Sequence, residues 1–170
     1  MSRHGLSDGY GDLTADILAH GRRRGRVTSA TRGKRGQAFL RSLIDALEAM
    51  PIDKRELGAS SFVASDGCMC ALAAALNHLC KPQPEQPDWA NDDFDEEVDW
   101  AIDHAAHFLD IAEALAREVV WINDEYNVPW TPSTYAAWRT RTFGIEHPEQ
   151  YVRRKRWSAV HSWAQSKLSH

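Results

Sequence analysis

"QAFLRSLIDALEAMP", residues 37–51, carries the clearest structural signal in the chain. Phe39, Leu40, Leu43, Ile44, Leu47 and Met50 recur at helical spacing, and Arg41, Asp45 and Glu48 fall off that stripe. Such a pattern predicts an amphipathic helix that needs a covered apolar face. Pro51 has no amide hydrogen and stops it.

Elements on either side are read against that helix. Upstream, "DLTADILAHGRRRGRV" (12–27) holds a weaker helix with Leu13, Ile17 and Leu18 on one face. Gly21 and Gly25 each weaken it by about 1 kcal/mol relative to Ala. Residues 1–11, rich in Gly and Ser, are expected to be a flexible N-terminus. Downstream, "SSFVASDGCMCAL" (60–72) centres on Asp66-Gly67, a pair suited to a tight turn. It predicts a short hairpin of roughly 60–65 and 68–71, followed by the small-residue helix "ALAAALNHLC" (71–80). Three prolines within 82–87 mark a surface connection.

"DDFDEEVDWAIDHAAHFLDIAEALAREVVWI" (92–122) keeps the helical period over its whole length and reads as one long helix or two in sequence. Asp92 suits the N-cap, and the acids after it suit the positive end of the helix dipole. "NDEYNVPWTPS" (123–133) is a loop. Pro132 and Ser133 open a helix through Trp138, which Gly144 ends. A last helix starts near Pro148, a first-turn proline, with Val152, Val160, Ala164 and Leu168 on one face. The expected fold is mostly α (α+β): a compact bundle of four or five helices with one small β-hairpin near residues 60–71. Residues 12–170 form a single globular domain in this reading. An isolated hairpin is barely stable in water, so this one must pack on the helices.

Of the 170 residues, 43% are hydrophobic and 26% charged, an ordinary globular balance. No apolar run approaches the roughly 18 residues of a membrane span, and the start lacks the pattern of a secretory signal. Cys68, Cys70 and Cys80 are an odd, sparse set, which fits reduced thiols. A cytoplasmic protein with no membrane partner and no cofactor is the expectation.

The net charge of −4 hides strong segregation. Residues 1–41 are basic, 83–125 are acidic with Arg117 as the one cation, and 126–170 are basic again. Blocks of one sign mark an interaction surface or mutual neutralisation within the fold.

Four stretches taken together resemble a family of small proteins encoded by bacteriophages and prophages. They are "RGKRGQAFLRSLIDALEAMP", "ASDGCMCALAAAL", "DIAEALAREVVWINDE", and a Thr-Pro followed by a late Trp-containing segment. The order matches from about residue 20 to 165. That family has no assigned activity, so the resemblance implies a phage or prophage origin and no catalytic residues. The segment 81–107 and the Trp-rich tail are longer than the family's pattern.

Two charged surfaces are candidate binding sites. Trp89, Asp92, Asp93, Asp95, Glu96, Glu97, Asp99 and Trp100 combine dense negative charge with aromatic anchors. Such a surface can imitate a nucleic-acid backbone and occupy the basic groove of a host protein. Arg22, Arg23, Arg24, Arg26, Arg32, Lys34 and Arg35 form the opposite surface, suited to phosphates. Within it, Gly33-Lys34-Arg35-Gly36 is a GxxG before a helix, the arrangement by which KH modules clamp a nucleic-acid backbone.

Metal and catalytic chemistry have thinner support. Cys68, Cys70, His78 and Cys80 supply zinc-type donors, but not at a standard finger spacing. Asp99, Asp103, His107 and Asp110, with His104 beside them, share one side of the acidic helix. No nucleophile elbow, phosphate loop or HExxH motif is present. Trp121, Trp138, Trp157 and Trp163 sit at helical positions among apolar neighbours and are read as core, whereas Trp89, Trp100 and Trp130 are read as contact residues. The leading expectation is a non-enzymatic phage or prophage accessory protein that binds a host macromolecule through charged surfaces, with inhibition of a host defence system as one such role. The alternative is a nucleic-acid-binding protein using residues 22–35, and the third is a small metal-dependent enzyme.

Overall fold

A computed structural model of the protein describes residues 21–58, 63, 67–84, 94–125 and 148–169, and for 94–98, 125 and 148–149 the backbone alone. The described residues are mostly α-helical. Helix α1 covers residues 21–32. It is followed by α2 (Lys34–Glu48), a single 3-10 turn (Ile52–Lys54), α3 (Ala71–His78), α4 (Phe94–Phe108), α5 (Glu113–Glu125) and α6 (Pro148–Lys167). The expected flexible N-terminus and the expected helix between Pro132 and Gly144 lie outside the described residues.

Helix α2 forms where the apolar stripe requires it. Phe39, Leu40, Leu43, Ile44 and Leu47 are buried, and the helix stops at Glu48, ahead of Pro51. Its stripe packs on α3 and α6, while α5 packs on α3, α4 and α6. The small side chains Ala71, Ala73 and Ala75 let the short α3 sit inside this arrangement, beside Leu72 and Leu76. From α6, Val160 and Ala164 close the core, on the face that the sequence spacing marked. Among the described residues no helix is long and apolar enough to cross a membrane.

The acidic stretch resolves into two helices. At the end of α4, Asp110 takes φ +52°, the Ile111 amide donates to the Ala106 carbonyl (3.0 Å) and the Asp110 amide to that of His107 (3.2 Å). That is a Schellman ending, which satisfies the last carbonyls of the helix and turns the chain.

The expected hairpin does not form among the described residues. Only an isolated antiparallel bridge, Val63 to Met69, is present. Gly67 does take the positive φ (+80°) that the Asp-Gly reading asked for. The second strand has no room, because Cys70 already serves as the N-cap of α3, its Sγ accepting from the Ala73 amide (3.5 Å). The Met69 carbonyl is also occupied, by the Gly58 amide (2.9 Å). A helix start at Ala71 therefore replaces the strand.

Two buried amide side chains fasten the elements together. Asn123 on α5 is 1% exposed. Its Oδ1 accepts from the Ala71 amide at the start of α3 (3.3 Å), and its Nδ2 donates to the Gly58 carbonyl and to Asp124 (both 2.7 Å). Gln37 on α2 donates to the carbonyls of Thr31 (2.6 Å) and Lys167 (2.9 Å), and its Oε1 accepts from the Ser169 amide (2.8 Å). It thus joins α1, α2 and the end of α6. A third fastening lies at the end of α2, where the Trp157 indole donates to the Leu47 carbonyl (3.1 Å). His161 stacks on the same indole and contacts Glu48 (2.8 Å).

Candidate functional site

Helices α1 and α2 meet at a sharp corner. Gly33 is the single non-helical residue between them, and Lys34 and Arg35 are already in α2. A Cβ on Gly36 would overlap the Ala30 carbonyl, so glycine is what permits the close approach of the two helices. The GxxG is therefore a helix corner and not an open clamp. Gly36 is buried against α1, and among the described residues there is no sheet for a KH module.

On α1, Val27 and Thr31 are buried, but residues 21–26 are exposed throughout. Of the basic residues in 22–35, two meet a carboxylate. Arg23 reaches Glu118 on α5 at 3.8 Å, and Arg35 reaches Asp110 at 3.1 Å with both side chains open to solvent. Among the described residues Arg22, Arg24, Arg26, Arg32 and Lys34 have no carboxylate partner. No acidic residue occupies the first turn of α2, so Lys34 and Arg35 add to the positive end of its dipole.

The acidic surface has a different fate. Trp89, Asp92 and Asp93 lie outside the described residues, and Asp95, Glu96 and Glu97 are placed by their backbone alone, on the first turns of α4. The two remaining members are engaged within the fold. Asp99 is held by Arg117, which also reaches Asp103 (3.6 Å) and Glu113 (2.7 Å). The hydrogen bond to Asp99 is the main reason that the Arg117 guanidinium is held above its ordinary range. Trp100 lies against His104 (5.5 Å between centroids), which in turn lies against Phe108 (4.6 Å). These three rings follow one another at four-residue spacing along α4.

The zinc-type donors do not assemble. Cys70 is buried and caps a helix, whereas His78 and Cys80 are exposed beyond or near the other end of α3. Burial pushes the Cys70 thiol up to about 12, away from the thiolate a metal needs. Among the described residues no group of three His, Cys, Asp or Glu side chains is placed to hold a metal ion, and that includes the acidic face of α4. A further polar cluster gathers Cys68, Asp124, Arg153 and Arg156 near the start of α3. Burial lowers the Arg156 guanidinium, and Asp124 opposes that shift.

The residue that sequence reasoning missed is Trp121. It was expected in the core, yet it is 46% exposed, beside α1, with the Arg23 guanidinium 5.8 Å from the ring centre. Trp121 lines two crevices that share Arg23. One, about 540 Å³, is bordered by Arg23, Arg24, Lys167, Glu118 and Thr28. The other, about 670 Å³, is bordered by Arg23, Arg26 and Arg117 but also by Asp99, Glu113 and Asp124. The signal was present in the spacing. Leu115 and Val119 define the buried side of α5, and at about 3.6 residues per turn Trp121 falls opposite them.

Comparison of the chain with protein-family models, with curated proteins and with solved structures finds no match.

Proposed function

We propose that the protein binds nucleic acid through the basic strip of residues 22–35, by its phosphate backbone. One observation carries this reading. Five cations of the strip, Arg22, Arg24, Arg26, Arg32 and Lys34, meet no carboxylate among the described residues, although an acidic block follows in the same chain. Where the described acidic helices do pair charge, they use Arg117, which meets Asp99, Asp103 and Glu113. Unpaired arginines along an exposed helix suit a phosphate backbone, because each neutralised phosphate releases counterions. The acidic-surface reading, in which a host protein is the partner, has less to support it, since Asp99 pairs with Arg117 and Trp100 lies against His104.

Fluorescence anisotropy with labelled DNA and RNA tests the proposal. Affinity should fall steeply with salt, with a log–log slope of roughly −0.7 to −0.9 per phosphate contacted. Replacing Arg22, Arg24 and Arg26 together by Ala should weaken binding to every sequence and flatten that slope by roughly 2–3. Absence of binding to any nucleic acid at low salt would exclude the function.

A further inference from the structure

Resting on the nucleic-acid reading, we infer that the ligand is single-stranded and that one of its unpaired bases stacks on Trp121. The two crevices beside this indole differ in charge. In the larger one three cations face three carboxylates, Asp99, Glu113 and Asp124. Among the described residues of the smaller one, Arg23, Arg24 and Lys167 face a single carboxylate, Glu118. A phosphate is drawn to the smaller crevice, and Trp121 forms part of its wall.

The ring is positioned for stacking. Trp121 is an exposed aromatic on α5, and its neighbours Val119 and Asn123 on either side are buried. The Arg23 guanidinium already lies near the ring, so a cation that can contact a phosphate sits close to a surface that can contact a base. A volume of about 540 Å³ lies within the range of small-ligand sites, roughly 300–1,000 Å³, and admits a nucleobase. Cationic grooves with an aromatic platform are how single strands are held without sequence preference. A duplex keeps its bases stacked inside and offers the indole no free face. Glu118 competes with the phosphate for Arg23.

The test compares fluorescein-labelled oligothymidine, oligouridine, an abasic strand of the same length and a matching duplex, all at low salt. Wild-type protein should prefer the base-bearing single strands to the abasic strand and to the duplex by about tenfold. Trp121→Ala should abolish that preference, and Trp121→Phe should retain most of it. Glu118→Gln, which frees Arg23, should tighten binding to all four probes several-fold. Equal affinity for base-bearing and abasic strands, or a Trp121→Ala variant that keeps the preference, would overturn the stacking and leave the phosphate-binding function standing. Binding to none of the probes would remove both.

Discussion

Helix α5 presents two faces that reverse the usual rule for side chains, two residues apart. On the inner face the polar Asn123 is buried, while on the outer face the large indole of Trp121 is open to solvent. Burying an amide is tolerable only if its donors and acceptor are satisfied, and Asn123 meets that condition with Ala71, Gly58 and Asp124. For the exposed indole of Trp121 the contact within the chain is the Arg23 guanidinium, 5.8 Å from the ring centre. The difference separates two kinds of exception. The inner one is explained by contacts within the chain, and the outer one leaves a face open to solvent.

The largest expected effect comes from breaking the inner face. Asn123→Ala leaves the Ala71 amide and the Gly58 carbonyl without their partner and opens a small void among packed side chains. Loss of about 2–4 kcal/mol in urea unfolding is expected, since each buried group left unpaired costs about 1–3 kcal/mol. A loss below about 1 kcal/mol would mean that the clasp is dispensable, and the contrast between the two faces would fail at its stronger end.

A second measurement sharpens the inner face by pH. Cys70 lies one residue before the amide that Asn123 holds, and burial pushes its thiol from 9.0 up to about 12. Above pH 9 the unfolded chain loses this proton while the folded chain keeps it. The contribution is therefore complete below about pH 9 and is lost progressively up to about 12, by about 1.4 kcal/mol per pH unit. Cys70→Ser keeps an N-cap oxygen and does not titrate there. Its unfolding free energy should decline less steeply than wild type between pH about 8 and about 10. Parallel profiles would show that the thiol is not sealed from solvent.

These residues also mark what the sequence made legible. Regular apolar spacing located α2 and the α6 face through Val160 and Ala164, but it ran unbroken through the acidic stretch and left one helix or two open there. The pattern is one-dimensional, so it identifies which side of a helix is buried but not which partner covers it. The hairpin near 60–71 was expected from Asp66-Gly67 alone. Among the described residues, Cys70 instead caps α3 locally and Gly58 takes the Met69 carbonyl. The GxxG was visible as a motif, but its meaning depended on how close α1 comes to Gly36. Likewise the basic block was plain in the composition, whereas which of its charges would find carboxylates depended on the fold. Arg117 found three partners because α4 and α5 turn back on each other at Asp110.

The smallest expected effect tests the outer face. Trp121 is nearly half exposed, and among the described residues no hydrogen bond of its side chain joins it to the core. The Arg23 guanidinium near its ring is itself half exposed, so their contact is weakened by water. Trp121→Ala should change the unfolding free energy by no more than about 0.5 kcal/mol, as for an ordinary surface substitution. A loss of about 2 kcal/mol or more would class Trp121 with the packing residues. The indole would then have an internal explanation after all, and weaker binding in the same variant would reflect a displaced α1. A stable Trp121→Ala protein that binds base-bearing strands poorly has no such reading, because α1 and its arginines would still be in place.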